Sequence, residues 1–352
     1  MRQTITLLFH VGFGKTATTW MQKQIFSKIA LNEDNCIYLG KLGDDEMMLD
    51  ERFHKLHYEL FNSLNELKRY RSKNSTILVN SYAEVISDKI TKKFNAIDHA
   101  GGGNVILSNE SIAGYGGYNA ELNMFLLKMV IERVRKNLGE KYNLEEKIFL
   151  TFREQASLLQ SFFAYDYYHQ SDKFKTLEKF IKYGISHHHN DIFGSLWIDE
   201  IIVFIGEIFG EENVLFVPYE LLKKDKNEFL RQTVVSLGLI SDNKIEMYGG
   251  SKKNNTNKGQ ESGSNLLIDM PRLKKNIIGL SQYGYLIPQF ARAFVKYIYI
   301  YLLKQQKDVI KGEVIMSQVQ KNQIRDLYRN SNTKAAEMLS IDLGKLGYAV
   351  KK

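Results

Sequence analysis

The segment His10-Val11-Gly12-Phe13-Gly14-Lys15-Thr16-Ala17-Thr18-Thr19-Trp20 concentrates glycine, lysine and threonine directly after an apolar run and directly before a helix-like pattern. A glycine-containing turn between strand and helix lets backbone N–H groups and the helix N-terminus converge on an anion. Lys15 adds a point charge, and Thr16, Thr18 and Thr19 add hydroxyls. The chemistry such a segment serves is the cradling of a phosphate. A nucleoside-triphosphate loop requires Gly, four residues, then Gly-Lys-Ser/Thr. Counting back from Gly14 places Phe9 where that first glycine belongs, which argues against the triphosphate reading.

A second constellation follows the run Lys147 to Phe152, which ends in Arg153 with Ser161 eight residues on. A guanidinium fork and a hydroxyl at that spacing suit a second anion. Glu110, in Leu107-Ser108-Asn109-Glu110-Ser111, follows the run Val105 to Ser108 and so stands at the ligand-bearing edge of a sheet. A carboxylate there can take a proton from a hydroxyl acceptor, and its alternative role is a solvated loop residue or helix N-cap partner. Ser108 is a candidate for positioning acceptor or cofactor. His10 is either a contact to one of them or a packed, hydrogen-bonded histidine. Tyr115, Tyr118, Tyr165, Tyr167 and Tyr168 offer aromatic faces that suit a sugar. His187-His188-His189 does not form a metal site, because adjacent residues share no face and no Cys or carboxylate spacing completes one; it reads as a loop near the acceptor cleft, with His188 the candidate contact.

Lys15-Thr16-Ala17-Thr18-Thr19-Trp20 resembles, without gaps, the 5′-phosphosulfate loop of sulfotransferases that use 3′-phosphoadenosine 5′-phosphosulfate (PAPS), whose usual form is Pro-Lys-Ser/Thr-Gly-Thr-Thr. Gly14 stands for the usual Pro and Ala17 for the usual Gly. Arg153 and Ser161 are similar to the pair that binds the 3′-phosphate in that family. Asn213 to Leu222, the loop Lys252 to Gly259 and the tail Leu327 to Asn332 with Gly347-Tyr348 resemble later elements of bacterial members. The resemblance implies PAPS as donor, no metal, and a cofactor site formed by Gly12, Gly14, Lys15, Thr16, Ala17, Thr18, Thr19, Trp20, Arg153, Ser161, Lys258 and Gly259. It implies adenine stacking for Trp20, whose alternative is helix-core packing. It also implies that Glu110 is the base, as in glycan and tyrosyl-protein sulfotransferases, and that Lys15 stabilises the leaving phosphate.

These residues need a framework of short buried strands. Thr4 to Val11, Val105 to Ser108, Lys147 to Phe152 and Asn213 to Tyr219 are apolar, rich in β-branched residues, and each is followed by helix-like spacing. The pattern predicts one α/β domain over 1–352, a P-loop-like parallel sheet flanked by helices across 1–250 and then a loop and a basic helical part across 251–352; the resemblance implies that this loop covers the cofactor. Hydrophobic residues at 44% exclude a disordered chain, and 3 prolines with 25 glycines exclude collagen-like and low-complexity classes. The single cysteine, Cys36, cannot form an internal disulfide, which fits a reducing compartment. Residues 1–247 hold 30 basic and 33 acidic side chains, whereas 248–352 hold 18 and 7, so the net +8 arises entirely in the last third. That excess points to an anionic partner or to solvated helix faces.

The acceptor expected from a Glu base, a basic C-terminal third and the tyrosines is a hydroxyl on a carbohydrate, with nucleic acid not expected. No apolar run reaches the roughly 20 residues of a membrane span, so the chain reads as cytoplasmic. The aromatic and basic stretch 287–304 is read as a core or homodimer helix ahead of a peripheral contact with the inner face of a membrane. Two rival functions remain at this stage. A P-loop kinase would depend on a divalent metal, and a non-catalytic protein binding anionic glycan or nucleic acid would bind its polymer without regard to the nucleotide.

Overall fold

β1 (Gln3–His10) is buried on both faces from Leu7 to His10, as a central parallel strand requires. The computed structural model describes residues 3–41, 84, 87–88, 91, 103–108, 120–138, 142–165, 174, 176–189, 191–249, 266–269 and 309–351. After β1 come α1 (Thr18–Trp20), a π-helical stretch Met21–Phe26 and α2 (Ser27–Asn32). Then follow β2 (Cys36–Lys41), β3 (Gly103–Ser108), α3 (Ala120–Leu138) and β4 (Tyr142–Phe152). The chain continues through α4 (Gln155–Tyr165), α5 (Leu177–Ser186), α6 (Asp191–Gly194), α7 (Ile198–Phe209), β5 (Val214–Pro218), α8 (Tyr219–Lys224), α9 (Lys226–Leu230) and α10 (Ile245–Gly249). It ends with β6 (Leu266–Asp269), β7 (Val309–Glu313) and α11 (Gln318–Leu339).

Two compact units divide the chain: 1–155 with 187–260 and 325–352, and 156–186 with 261–324. The first unit contains a five-stranded sheet in the order β2-β3-β1-β4-β5, parallel throughout. β1 lies between β3 and β4, and the chain passes from β1 to the β2 edge before crossing back to β4. The loop leaving the C-terminal end of β1 therefore stands where connections diverge, the place at which an open α/β sheet forms a ligand crevice.

Alternation along β1 assigns its side chains to two apolar layers. Ile5, Leu7 and Phe9 join a cluster with α3, α7 and the C-terminal Leu343 and Tyr348. Leu8 joins the other, with Met21, Ile25 and Phe26 of the π-helical stretch and Phe229 of α9. Each such fully buried Leu or Phe stabilises the fold by about 1.5–3 kcal/mol, so both faces of the sheet are held. Residues 325–352 belong to the first unit. The reason is apolar: Ala335, Leu343 and Tyr348 complete the layer under β4.

In the second unit, Phe163 and Phe174 pack on Phe180 of α5 at ring separations of 5.3 and 5.5 Å. The Met316 N–H donates to Gln160 Oε1 at 3.1 Å, and β6 pairs with β7 antiparallel. Among the described residues no helix is long and apolar enough to cross a membrane, and 287–304 lies outside them.

Candidate active site

The loop after β1 is shaped by β4. The Val11 N–H donates to the Phe149 carbonyl at 2.8 Å and the Phe13 N–H to the Thr151 carbonyl at 3.2 Å, so strand pairing extends into the loop. A Cβ on Gly12 would stand 2.5 Å from Thr151 Oγ1, which is why this position takes glycine. The Thr16 hydroxyl donates to the Phe13 carbonyl, leaving Thr151 to donate to Thr16 Oγ1 at 2.7 Å. The resemblance gave the Thr16 hydroxyl to the phosphate; it is fully buried and closes the loop on itself instead.

Lys15 and Ala17 both take left-handed backbone conformations, at φ 68° and 64°. Two such residues flanking Thr16 curl the chain so that N–H groups turn toward one concavity. The helix begins immediately, with the Met21 N–H donating to the Ala17 carbonyl at 2.9 Å. The N–H groups of Thr18, Thr19 and Trp20 precede the helical ladder and cannot be satisfied within it. Thr18 is buried, Thr19 exposed, and Lys15 and Ala17 are half-buried. Gly14 lies in the turn and is buried.

Arg153, one residue beyond β4, is 8% exposed and ties the second constellation to the first: its Nη1 donates to the Lys15 carbonyl at 2.9 Å. Its guanidinium lies 5.0 Å from the Tyr219 ring centroid, and the Lys223 ammonium lies at the same distance from the same ring. Burial lowers the Lys223 pKa, and the Arg153 charge lowers it further. Behind Arg153, the Glu154 N–H donates to Glu220 Oε1 at 3.1 Å, and Tyr348 donates its hydroxyl to Glu220 Oε2 at 2.6 Å. Arg325 Nε donates to Glu154 Oε1 at 3.1 Å. Burial raises the Glu220 carboxyl, while Tyr348, backbone N–H groups and the Arg153 charge oppose that rise.

The other candidates are distributed differently. His10 and Ser108 are fully buried, with His10 Nδ1 and Ser108 Oγ 2.8 Å apart, and Gln22 Nε2 donates to the same hydroxyl at 2.9 Å. His10 stacks on Phe149 at 4.8 Å between ring centroids. These two side chains bind β1, β3 and the π-helical stretch together, the packed alternative for His10. Trp20 is half-buried against the second apolar layer, with Phe229 at 6.4 Å and the Lys226 ammonium 5.0 Å from its ring centroid. Ser161 is buried on α4 in the second unit, and Tyr165 closes that helix. His188 lies in the turn after α5; its carbonyl accepts the Trp197 indole N–H at 3.2 Å and its ring lies 5.7 Å from the Trp197 ring. Glu110, Tyr115, Lys258 and Gly259 lie outside the described residues.

Sequence reading missed Thr151 and Gln22, and met Glu220 and Tyr348 only inside late segments of the resemblance. Thr151 carried a faint signal, as a polar residue inside an apolar strand two positions before Arg153. Gln22 carried none, because a π-helical stretch sets where it points. Among the described residues no group of three or more His, Cys, Asp or Glu is arranged to hold a metal ion. What the site offers is amide N–H groups, a lysine and an arginine in a part-buried setting, a donor set for phosphate oxygens.

No family model matches the sequence, and no curated protein matches it. Among solved structures, the chain is similar to a sulfotransferase from Alicyclobacillus acidocaldarius at 10% identity and a TM-score of 0.43, over 96% of this chain and 97% of that one. It is also similar to the sulfotransferase domain of the Synechococcus PCC 7002 olefin synthase at 13% identity and a TM-score of 0.36, over 72% and 80% of the two chains.

Proposed function

We propose that the chain is a sulfotransferase that moves a sulfonate group from PAPS to an acceptor hydroxyl. The observation that carries this reading is the hydrogen bond from Arg153 to the Lys15 carbonyl, which sets the arginine beside the loop after β1 at the C-terminal edge of one parallel sheet. Two separated phosphate positions on one nucleotide match a 3′-phosphoadenosine better than a triphosphate, and Phe9 in place of a first glycine agrees.

When bound, PAPS supplies an activated sulfuryl group whose bond to the 5′-phosphate oxygen breaks as the acceptor oxygen bonds to sulfur. Lys15 and the N–H groups of the loop stabilise the charge that grows on the departing phosphate, at no cost in reorganisation because the backbone is already curled. Arg153 holds the 3′-phosphate. Glu110, assigned from sequence, takes the acceptor's proton as the new bond forms. No residue in this scheme calls for a metal. The acceptor class we propose is a glycan hydroxyl, on the strength of the tyrosines and of the basic residues across 248–352.

The test is calorimetric binding of 3′-phosphoadenosine 5′-phosphate (PAP), with AMP, ADP and ATP as controls, with and without Mg²⁺. Tight, metal-independent binding that requires the 3′-phosphate is expected. A preference for ATP with Mg²⁺ would return the loop to phosphoryl transfer. With the donor site established, Glu110→Gln is expected to lose turnover while binding PAP normally; retained turnover would remove Glu110 as base.

A further inference from the structure

We infer that Tyr348, near the end of the chain, is a positioning residue for the 3′-phosphate site, acting on Arg153 through the half-buried carboxylate of Glu220. The inference rests on the reading above and adds to it a residue nearly two hundred positions from the arginine it serves.

The path is continuous and short. The Tyr348 side chain is buried, its ring meets Phe152 edge-on at 5.8 Å between centroids, and its hydroxyl donates to Glu220 Oε2 at 2.6 Å. Glu220 Oε1 accepts the backbone N–H of Glu154, the residue that follows Arg153, at 3.1 Å. Tyr219, the neighbour of Glu220 in the chain, carries the Arg153 guanidinium on its ring. One carboxylate thus holds the backbone directly after Arg153 while its neighbour supports the side chain. The C-terminal segment is itself anchored, since Asn332 Nδ2 donates to the Ala349 carbonyl at 3.1 Å and Gln155 Nε2 donates to Asn332 Oδ1 at 2.7 Å. Tyr348 therefore meets Glu220 from a fixed position.

The link depends on charge. A buried carboxylate without donors protonates, and a protonated Glu220 holds the Glu154 N–H and balances Arg153 less well. The groups facing it are the Tyr348 phenol from the C-terminal segment, Arg153 and Glu154 from the end of β4, and Lys223 from its own helix, with Arg325 reaching Glu154. Burial raises the Glu220 carboxyl, and the phenol is among the donors that oppose that rise. Removing the phenol hydroxyl moves protonation of Glu220 to higher pH and loosens Arg153 over that range.

Tyr348→Phe keeps the ring on Phe152 and removes only the hydroxyl. The readout is the ratio of PAP to AMP affinity, which isolates the 3′-phosphate, measured by calorimetry on either side of neutrality. In the full-length variant the ratio is expected to fall by about three- to tenfold relative to wild type, as expected for weakening one charge-assisted hydrogen bond. The fall should be larger at the lower pH. Titration of the nucleotide is common to both proteins, so the difference between them reports Glu220. Glu220→Gln, which cannot ionise, should show a reduced ratio whose deficit does not grow with falling pH; it also carries the test if Tyr348→Phe does not fold. A merely structural Tyr348 would lower stability and both affinities together, leaving the ratio at its wild-type value, and that result overturns the inference. Wild-type protein with no preference for PAP over AMP would instead remove the sulfotransferase reading, and the inference with it.

Discussion

Ala17 takes φ 64° in a loop where the resembled family has glycine. A side chain in this left-handed region costs about 1 kcal/mol relative to glycine, so the chain carries a small local strain in the turn after β1. Ala17→Gly is expected to raise stability by about 0.5–1 kcal/mol against that strain, offset in part by the greater entropy of the unfolded chain; urea unfolding of the two proteins measures it, and a clear loss would mean that the methyl group packs usefully. Lys15 shares the conformation at φ 68° and cannot be relieved in the same way without losing its charge. Arg153 is the other decisive residue. Its replacement by Ala should weaken PAP by about 10- to 100-fold, the worth of a hydrogen-bonded charge pair, and weaken AMP far less. Equal losses for both nucleotides would assign Arg153 to loop support alone, through the Lys15 carbonyl.

The elements are held to the sheet by polar clamps as well as by apolar layers. Glu33, between α2 and β2, accepts from Lys244 Nζ at 2.7 Å and from the Tyr248 hydroxyl of α10 at 2.8 Å. The Lys244 hydrogen bond is the largest influence lowering the Glu33 carboxyl, and burial chiefly pushes the Tyr248 phenol up to about 12. A depressed carboxyl contributes stability that is complete above its unfolded value and lost as pH falls through the folded one. A raised phenol contributes stability that is complete below its unfolded value of about 10 and lost as pH rises through about 12. Tyr248→Phe is accordingly expected to cost about 1 kcal/mol at neutral pH. The difference from wild type should shrink at the alkaline end, as followed by thermal unfolding across pH. A constant difference up to strongly alkaline pH would show that the lost hydroxyl acts through packing. The π-helical stretch Met21–Phe26 is a second element-scale device, since it turns Gln22 onto Ser108 and so joins the helix after the β1 loop to β3.

At the scale of the whole molecule, the first unit is closed by its two chain ends. β1 runs through the centre of the sheet, while Ala335, Leu343 and Tyr348 complete the apolar layer on one face of it. Tyr348→Ala is therefore expected to cost about 3–5 kcal/mol. A chain ending at Ser340 should unfold at lower denaturant in one transition, because the lost residues belong to the layer that holds β4. Unchanged cooperative stability of that truncated chain would show the C-terminal segment to be an appendage. The charge of the molecule is distributed on a different plan, with its positive excess across 248–352, a region shared between the two units.

Local composition was enough to locate four of the five strands of the parallel sheet, and it left out β2. Continuous apolar runs, a glycine-lysine-threonine turn and an arginine at a strand end are properties of neighbouring residues, and sequence records neighbours directly. The parallel α/β plan was legible on that basis, while the roles given to Lys15, Arg153 and Glu110 remain the reading of the sequence. What only the tertiary structure decided is which distant residues meet. Gly12 is glycine because of Thr151, and the Thr16 hydroxyl turns inward because it donates to the Phe13 carbonyl and accepts from Thr151. His10 and Ser108 look reactive in sequence, yet the sheet register puts them opposite each other in the core. Tyr348 gains a role because the last turns of the chain pack beneath β4. Burial and long-range pairing set whether a polar atom faces solvent or another side chain, and no local pattern carries that information.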